Sequence, residues 1–356
     1  MIRRLTFLFL LLPLMALVGT GVYTYLGGLK SKTLQASARL PTVTKPKFVL
    51  PGTMFVIQEG KIFKLSGGTF SEVASGNWMQ PSLTPDHTRL VAVSKGPQSS
   101  DLYLLDLNGH VLKRLTHDDA RIIDANHWAY YPRVSADGAT ITYSYDSPKF
   151  GFRVDFAIWS MPLNGSQWQA RRRTTPNGYT GGDIEPLPVS STGLIYVRHS
   201  IDGSGVHSQI WLQARSGLIG NPLTDAGDDC GQPALSPDGA QMAMICTHGS
   251  QTARLEIAPF NGSSLGPHQV LVATGLNAVP TWSPDGRGIV YLAPAGIAGH
   301  FELWWVPVVA VLATPAATAT PAASPSASLA APPPAVKPVQ VTEGVDLSAT
   351  SAPAWY

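Results

Sequence analysis

The sequence predicts an all-β fold, a six-bladed β-propeller, because one hairpin recurs at regular intervals and because the composition suits a protein of strands and turns. The clearest copy runs from Pro280 to Leu292, with an extended segment, the turn Ser-Pro-Asp-Gly at 283–286 and a strand rich in β-branched and aromatic residues. In such a turn proline presets φ, aspartate caps the backbone and glycine adopts a positive φ. Copies with turns near 86, 137, 192, 238 and 285 follow one another at spacings of 51, 55, 46 and 47 residues. Periods of this length indicate a propeller with four strands in each repeat.

Length and charge narrow the class of protein further. The chain has 356 residues, of which 13% are charged, and it contains 34 glycines and 30 prolines, as an all-β protein with many turns requires. The net charge of +2 gives no electrostatic reason to expect a nucleic-acid partner. Two cysteines are too few for a disulfide-stapled small fold or for a four-cysteine zinc site. We predict no cofactor.

Each complete unit continues with two more strands joined by a tight turn. In the second unit these strands are predicted at 101–106 and 111–116, on either side of an Asn-Gly pair that is typical of a hairpin. In the next three units they are predicted at 157–161 and 168–174, 209–212 and 223–224, and 255–258 and 270–272. The five hairpins and their following strands therefore account for five blades, of which the last is interrupted.

The two ends of the repeat region together complete the ring. The first unit supplies strands at 52–57, 61–65 and 70–74 but lacks the Pro-x-x-Ser-Pro-Asp-Gly strand, and the last residues, 351–356, match the start of such a strand. We therefore predict one domain over 51–356, closed by its C-terminal strand, which leaves no unpaired sheet edge between the ends.

Between the last two strands of the sixth unit, at 301–306 and 339–342, lies an insertion of Ala, Pro, Ser and Thr. We predict residues 313–336 of this insertion to be disordered, because they cannot bury enough apolar surface to fold.

The N-terminus predicts a membrane anchor. Residues 1–32 contain Arg3 and Arg4 followed by the uncharged stretch 5–26, which would span about 33 Å as a helix. The arginines would stay in the cytoplasm and the propeller would lie outside. We expect an uncleaved single-pass anchor with a linker at 33–50, and a cleaved signal peptide is the alternative.

The repeats resemble the TolB-like propeller family, whose signature reads roughly Pro-x-Trp-Ser-Pro-Asp-Gly. Residues 280–286 match it closely, as do residues 233–239. The resemblance implies a monomeric, extracytoplasmic propeller of the cell membrane that acts without catalysis as a protein-interaction scaffold for a cell-envelope protein. The anchor and the insertion depart from the best known member, so that member's particular partners are not carried over.

The same repeats also resemble the non-catalytic propellers that precede the hydrolase domain in prolyl-oligopeptidase-type enzymes. The alternatives for this chain are therefore a carbohydrate-binding or metal-dependent polysaccharide-processing propeller, or a regulatory propeller for a separate hydrolase.

The candidate site lies in the loops that lead from the fourth strand of one blade to the first strand of the next. In a propeller these loops gather on one face around the central channel, so their polar groups would form an acidic partner-binding face with two histidines. The predicted residues are His117, Asp118, Asp119, Asp124, His127, Asp183, Glu185, Asp228, Asp229 and Asp346. Solvated turn residues and a metal or catalytic site are the alternatives, because each group comes from a different loop and no ligand spacing is defined.

No catalytic residue is predicted. The segment 262–266 fits Gly-x-Ser-x-Gly, but it follows Asn261 in a turn between strands rather than in a strand-to-helix elbow. Cys230 and Cys246 flank one hairpin, where a disulfide is expected in an exported domain and two buried thiols are the alternative. The arginines at 171–173 are expected to protect an outer edge strand, and an anionic-partner site is the alternative.

Tryptophans also recur at fixed blade positions. We expect them to pack between the sheets rather than to serve as platforms for sugars; they are Trp159, Trp211, Trp282, Trp304 and Trp305.

Overall fold

Six four-stranded antiparallel sheets, one for each predicted unit, make up the described part of the chain and confirm the six-bladed propeller. This computed structural model describes residues 49–149, 154–250, 252–296, 299–308 and 337–356. The predicted anchor, almost all of the linker and the predicted disordered insertion lie outside these residues. Within the described ranges, no helix is both long enough and apolar enough to cross a bilayer.

The strands follow the predicted hairpins closely. Blade one contains β1 (Thr53–Gln58), β2 (Lys61–Ser66) and β3 (Thr69–Ala74); blade two contains β4 (Trp78–Leu83), β5 (Arg89–Lys95), β6 (Ser100–Asp106) and β7 (Val111–Arg114); and blade three contains β8 (Ala129–Val134), β9 (Thr140–Tyr145), β10 (Ala157–Pro162) and β11 (Arg171–Arg172).

The second half of the ring repeats this plan. Blade four contains β12 (Asp183–Pro188), β13 (Leu194–Asp202), β14 (Gly205–Gln213) and β15 (Asn221–Pro222); blade five contains β16 (Cys230–Leu235), β17 (Gln241–Cys246), β18 (Arg254–Pro259) and β19 (Gln269–Val272); blade six contains β20 (Ala278–Trp282), β21 (Gly288–Ala295), β22 (His300–Pro307) and β23 (Val339–Gln340); and β24 (Ala354–Trp355) returns to blade one.

The signature turn owes its recurrence to one hydrogen-bond pattern. In blade six, Ser283 Oγ donates to Asp285 Oδ1 at 2.6 Å and accepts the backbone N–H of Gly288. Asp285 in turn accepts the N–H of Arg287. These bonds, led by the one from Ser283, hold the pKa of Asp285 below its usual range. The same Ser/Thr-x-Asp arrangement closes the turns of blades two, three and five.

The first strands of blades two to six line the centre of the ring, and each carries a β-bulge at a residue that precedes proline. Proline disfavours the right-handed helical region for the preceding residue, and here that residue adopts the left-handed region, with φ between 45° and 55°. The register of the strand shifts at this point. The bulge residues are Gln80, Tyr131, Glu185, Gln232 and Val279.

The ring closes through the last residues of the chain. β24 pairs with β1, with Met54 opposite Trp355 and Phe55 opposite Ala354. The backbones of Thr53 and Tyr356 exchange two hydrogen bonds of 2.8 and 3.0 Å. Blade one is therefore built from both ends of the propeller, the arrangement that the sequence led us to expect.

Apolar side chains pack between neighbouring blades. Trp282 and Trp305 are buried in these cores, and Trp159, Trp211 and Trp304 are partly buried and pack against them. The expectation that these tryptophans fill the space between sheets is therefore met, although Trp159 also lines a cleft described below. The core between blades three and four is the smallest among the described residues, with only Ile158, Leu194 and Tyr196 fully buried.

The fourth strands of blades two, three and six are shorter than predicted, and that of blade four is displaced along the chain. In blade three the predicted strand 168–174 is wrong over its first residues, because Gln167–Gln169 forms a 3-10 helix and only Arg171–Arg172 pairs. Ser166 and Gln169 form a reciprocal capping box that stabilises this helical turn. In blade four the paired residues are Asn221–Pro222, just before the predicted pair, and in blade six they are Val339–Gln340.

Candidate functional site

A cleft of about 670 Å³ lies between blades two and three. Most of its lining side chains are aromatic or basic. They come from the end of β7, from the loop between β7 and β8, from β9 and β10, and from the 3-10 helix that follows β10. These side chains are Lys113, Arg114, His117, His127, Tyr143, Tyr145, Trp159 and Trp168. We call this feature the aromatic cleft.

The segment after β10 forms one wall of the aromatic cleft and is tied to blade two. Lys113 Nζ donates to the carbonyl oxygens of Asn164 and Gly165 at 3.3 and 2.6 Å. Gln167 Oε1 accepts the backbone N–H of His117 at 2.8 Å. The 3-10 helix held in this way presents Trp168, which is 92% exposed. A tryptophan so exposed at the rim of a cleft contributes little to the fold and is available for contact.

Asp118 joins the two blades beside the aromatic cleft. Its Oδ1 accepts hydrogen bonds from Tyr145 Oη at 2.8 Å and from Gln167 Nε2 at 2.7 Å. The carboxyl group is buried, and this burial, with Asp101 nearby, raises its pKa despite the two hydrogen bonds. Burial also raises the pKa of Tyr145.

Three buried polar atoms around the aromatic cleft have no hydrogen-bond partner among the described residues. They are Asp118 Oδ2, Tyr143 Oη and Trp159 Nε1. Buried polar groups are nearly always satisfied, by protein, water or a ligand. Three such atoms therefore lie within the walls of the aromatic cleft rather than on its open surface.

The loop 117–128, which joins β7 to β8, borders the aromatic cleft at both of its ends. His127 Nδ1 lies 3.0 Å from Asp146 Oδ1, which fixes the second end of the loop. In the middle of the loop Ile122 and Ile123 are 68% and 63% exposed, and Asp124 is exposed next to them. Two adjacent exposed isoleucines on a loop whose two ends line the aromatic cleft form an apolar surface that water does not favour.

Five of the predicted acidic residues have a basic partner close by. The pairs are Asp119 with Arg114, Asp183 with Arg198, Asp228 with His248, Asp229 with His207, and Asp346 with His300. The structure brings three predicted residues together at the aromatic cleft, namely His117, Asp118 and His127.

Glu185 lines the central channel, with Gln80, Tyr131, Arg133 and Gln232. This channel has a volume of about 40 Å³, room for only a few water molecules. Burial raises the pKa of Glu185 to about 7. Glu185 was predicted as a residue of the loop face, but it lies within β12. Sequence reasoning missed the other channel residues, although all of them except Arg133 precede a proline at the same place in their repeats.

Cys230 and Cys246 face each other on β16 and β17 and form a disulfide with an S–S distance of 2.06 Å. Donor atoms of Cys246, His248 and Glu256 lie within 4.8 Å of one another, a spacing that a metal ion could use. The sulfur of Cys246 is already bonded to Cys230, however, so it is not a thiolate. Two ligands remain in this group, which do not fit a stable metal site.

Ser263 lies in the turn between β18 and β19, as the sequence predicts. Its hydroxyl donates to Asn261 Oδ1 at 2.9 Å, and Asn261 Oδ1 also accepts the N–H groups of Ser263 and Ser264. An amide oxygen cannot act as a general base, so this serine is held as a turn residue rather than activated as a nucleophile.

No protein-family model matches the sequence, and no curated protein does. Solved structures do match. TolB from Acinetobacter baumannii shares 20% identity over 74% of this chain and 63% of its own, with a TM-score of 0.54. A protein from Agrobacterium tumefaciens, provisionally assigned as TolB, shares 17% identity over 72% of this chain and 85% of its own, with a TM-score of 0.50.

This chain therefore spans less than two thirds of the Acinetobacter protein. At this level of identity the likeness concerns the fold and not the site. The described part of this chain shares the propeller fold of the TolB structures.

Proposed function

We propose that this chain is a membrane-anchored, extracytoplasmic propeller that acts without catalysis, by binding a protein of the cell envelope at the aromatic cleft. The observation that carries the proposal is the aromatic cleft itself, with its exposed Trp168 and with the exposed isoleucines of loop 117–128, whose two ends line the cleft.

The composition of this surface favours a protein partner. Tryptophan, tyrosine and arginine are the residues that most often carry the binding energy of protein interfaces, and here Trp168, Tyr145 and Arg114 lie around one cleft. Ile122 and Ile123 add exposed apolar area on the loop whose ends line this cleft, while charged side chains such as Asp119, paired with Arg114, form a polar rim. An apolar centre with a polar rim is typical of interfaces that form and dissociate.

The chemistry of the aromatic cleft favours binding over catalysis. His127 and Asp146 form a histidine–aspartate pair at its edge. Among the described residues, however, no serine, threonine or cysteine makes a hydrogen bond to the other ring nitrogen, so no side-chain nucleophile is held against this pair. Asp118 is held by Tyr145 and Gln167 rather than poised against a substrate position.

Two features support an extracytoplasmic location. Residues 5–26 carry no charge and are long enough for a bilayer. The disulfide between Cys230 and Cys246 is of a kind that persists in oxidising compartments and is rare in the cytosol.

Site-specific photo-cross-linking tests the proposal. A photo-reactive residue is placed at position 168 of the full-length chain in living cells, and in a control chain at position 201, an exposed site at the tip of blade four. We expect a discrete protein adduct from position 168 and none from position 201. Adducts that are equal at both positions, or none at position 168, would contradict a protein partner at the aromatic cleft.

A carbohydrate ligand is the second candidate, because an exposed tryptophan at the rim of a cleft that polar side chains such as Gln167 also line suits a sugar ring and its hydroxyls. In that case Trp168→Ala weakens glycan binding while Ile122→Ala has no effect, since a sugar needs the ring platform and not the loop.

If the protein cross-linked at position 168 is a hydrolase, the result would instead support a propeller that regulates a separate hydrolase.

A further inference from the structure

A second pocket, separate from the aromatic cleft, lies between blades three and four. Its volume is about 410 Å³, and three guanidinium groups line it, those of Arg172, Arg173 and Arg198. No carboxylate lines it among the described residues. We call it the arginine pocket. It occupies the junction with the smallest apolar core, so polar groups take up space that hydrophobic side chains fill at the other junctions.

Arg198 is fully neutralised by a carboxylate. Its Nε and Nη2 donate to the two carboxylate oxygens of the buried Asp183, each at 2.9 Å. The same guanidinium lies 4.7 Å from the centre of the Trp211 ring. Arg198 is therefore a fixed wall of the arginine pocket, and it leaves no net charge for a ligand.

Arg172 and Arg173 have no ion pair among the described residues. Arg173 is partly buried, and its Nη2 donates to Thr192 O at 2.6 Å and to Gln213 Oε1 at 3.3 Å. Its buried Nε has no acceptor. Arg172 makes no side-chain hydrogen bond within the described part of the chain and borders the pocket from the exposed edge strand.

Protection of an edge strand does not account for this arrangement. An arginine that only prevents edge pairing can lie in solvent, as Arg171 does, with Nη1 bonded to backbone oxygens of its own segment. Arg173 instead places an uncompensated cation in a partly buried position, which is unfavourable unless a counter-charge is present. Burial accordingly lowers the pKa of Arg173.

We propose that the arginine pocket binds a phosphate group through Arg172 and Arg173. Guanidinium groups present paired N–H donors that match the oxygens of a phosphate. Two cations that make no ion pair among the described residues also match the charge of a phosphate monoester, about −1.5 to −2 at neutral pH. Leu218 and Ile219 line the pocket and are largely exposed, so the phosphate could belong to a lipid headgroup as well as to a free ion.

The test is a titration of the full-length chain with inorganic phosphate at constant ionic strength, which keeps general screening fixed. We expect saturable binding that Arg172→Gln weakens by at least about tenfold, because a charge-assisted contact is lost. Arg171→Gln is the matched control: it removes the same charge from the same strand, outside the pocket, and is expected to leave binding unchanged. Since Arg172 is exposed, its substitution should leave the unfolding temperature unchanged.

Two results would overturn the proposal: no saturable phosphate binding by the native chain, or equal weakening by Arg171→Gln and Arg172→Gln.

A parallel titration with a short-chain phosphatidylglycerol identifies the source of the phosphate. Tighter binding of this lipid than of phosphate, with the gain lost in Leu218→Ser/Ile219→Ser, supports a headgroup. Binding no tighter than that of phosphate supports a soluble phosphate. This proposal does not depend on the aromatic cleft, and its outcome leaves the proposed function untouched.

Discussion

Gln80 in blade two accepts a hydrogen bond, through its side-chain Oε1, from the backbone N–H of Tyr131 in blade three, at an N···O distance of 2.7 Å. Glu185 Oε2 accepts the N–H of Gln232 in the same way, and Gln232 Oε1 accepts that of Val279, both at 2.6 Å. Each of these N–H groups belongs to a bulge residue, which the shifted register leaves without a ladder partner. The blades are thus linked around the channel by side chains that satisfy their neighbour's backbone.

Gln80→Leu should therefore lower the free energy of unfolding by about 1–3 kcal/mol, because the N–H of Tyr131 loses its acceptor in a buried position. Chemical denaturation of the two chains measures the difference. Gln98→Leu, the same change at an exposed position, serves as the control and should have almost no effect. Equal effects of the two substitutions would argue against the linking role of Gln80.

The stability of the native chain should fall as the pH rises through the range of Glu185. The pKa of this carboxyl is raised by burial from 4.5 to about 7, with Arg133 and the N–H of Gln232 opposing the rise. Between these values the folded chain retains a proton that the unfolded chain has released, so folding becomes less favourable with increasing pH.

Glu185→Gln removes this dependence and keeps an oxygen for the N–H of Gln232. The variant should be more stable than the native chain at about pH 8, by up to about 3 kcal/mol, and equal to it at about pH 4. Unfolding curves of both chains across this range test the sign. A difference that does not change with pH would show that Glu185 does not titrate between the two values.

Closure of the ring can be tested at two glycines of blade one. Gly52 and Gly67 both have positive φ, 74° and 57°, so an alanine is strained at either position. A Cβ at Gly52 would lie 2.2 Å from the carbonyl oxygen of Tyr356, whereas nothing lies within 4 Å of a Cβ at Gly67. Gly52→Ala should therefore be more destabilising than Gly67→Ala by about 1–3 kcal/mol. Similar losses from both would contradict tight closure by the C-terminal strand.

Replacement by alanine should affect stability strongly at Trp282 and very little at Trp168. Trp282 is 7% exposed and donates from Nε1 to Ala234 O at 3.0 Å. Its replacement by alanine should cost about 3–5 kcal/mol of stability through the cavity it leaves. Trp168→Ala should change stability by no more than about 0.5 kcal/mol, because the ring is almost fully in solvent. Thermal unfolding of both variants makes the comparison, and a large loss at Trp168 would mean that this residue holds the fold.

The repeats made the blades predictable because the signature turn is local. Ser283, Asp285 and their equivalents form all the hydrogen bonds of the turn within six residues. The ring closure was readable because residues 351–356 match the start of the first strand that the first unit lacks. The 3-10 helix at 167–169 was missed although its capping box was present, since arginines and threonine after it suggested a longer strand.

The aromatic cleft could not be read from the repeats. It depends on Asp118 of one blade meeting Tyr145 and Gln167 of the next, and such contacts depend on how neighbouring blades are oriented. Likewise Asp183 was taken as a loop-face acid, but Arg198 on the adjacent strand pairs with it in the interior.

A binding titration with the protein cross-linked at position 168 tests the central claim most directly. The full-length chain is compared with two variants of similar apolar loss, Ile122→Ala/Ile123→Ala on loop 117–128 and Ile201→Ala/Val206→Ala at the exposed tip of blade four. The account predicts that the first variant binds at least about tenfold more weakly, since two buried contacts are lost, and that the second binds like the native chain. Equal affinity of all three chains would contradict a protein-binding surface at the aromatic cleft.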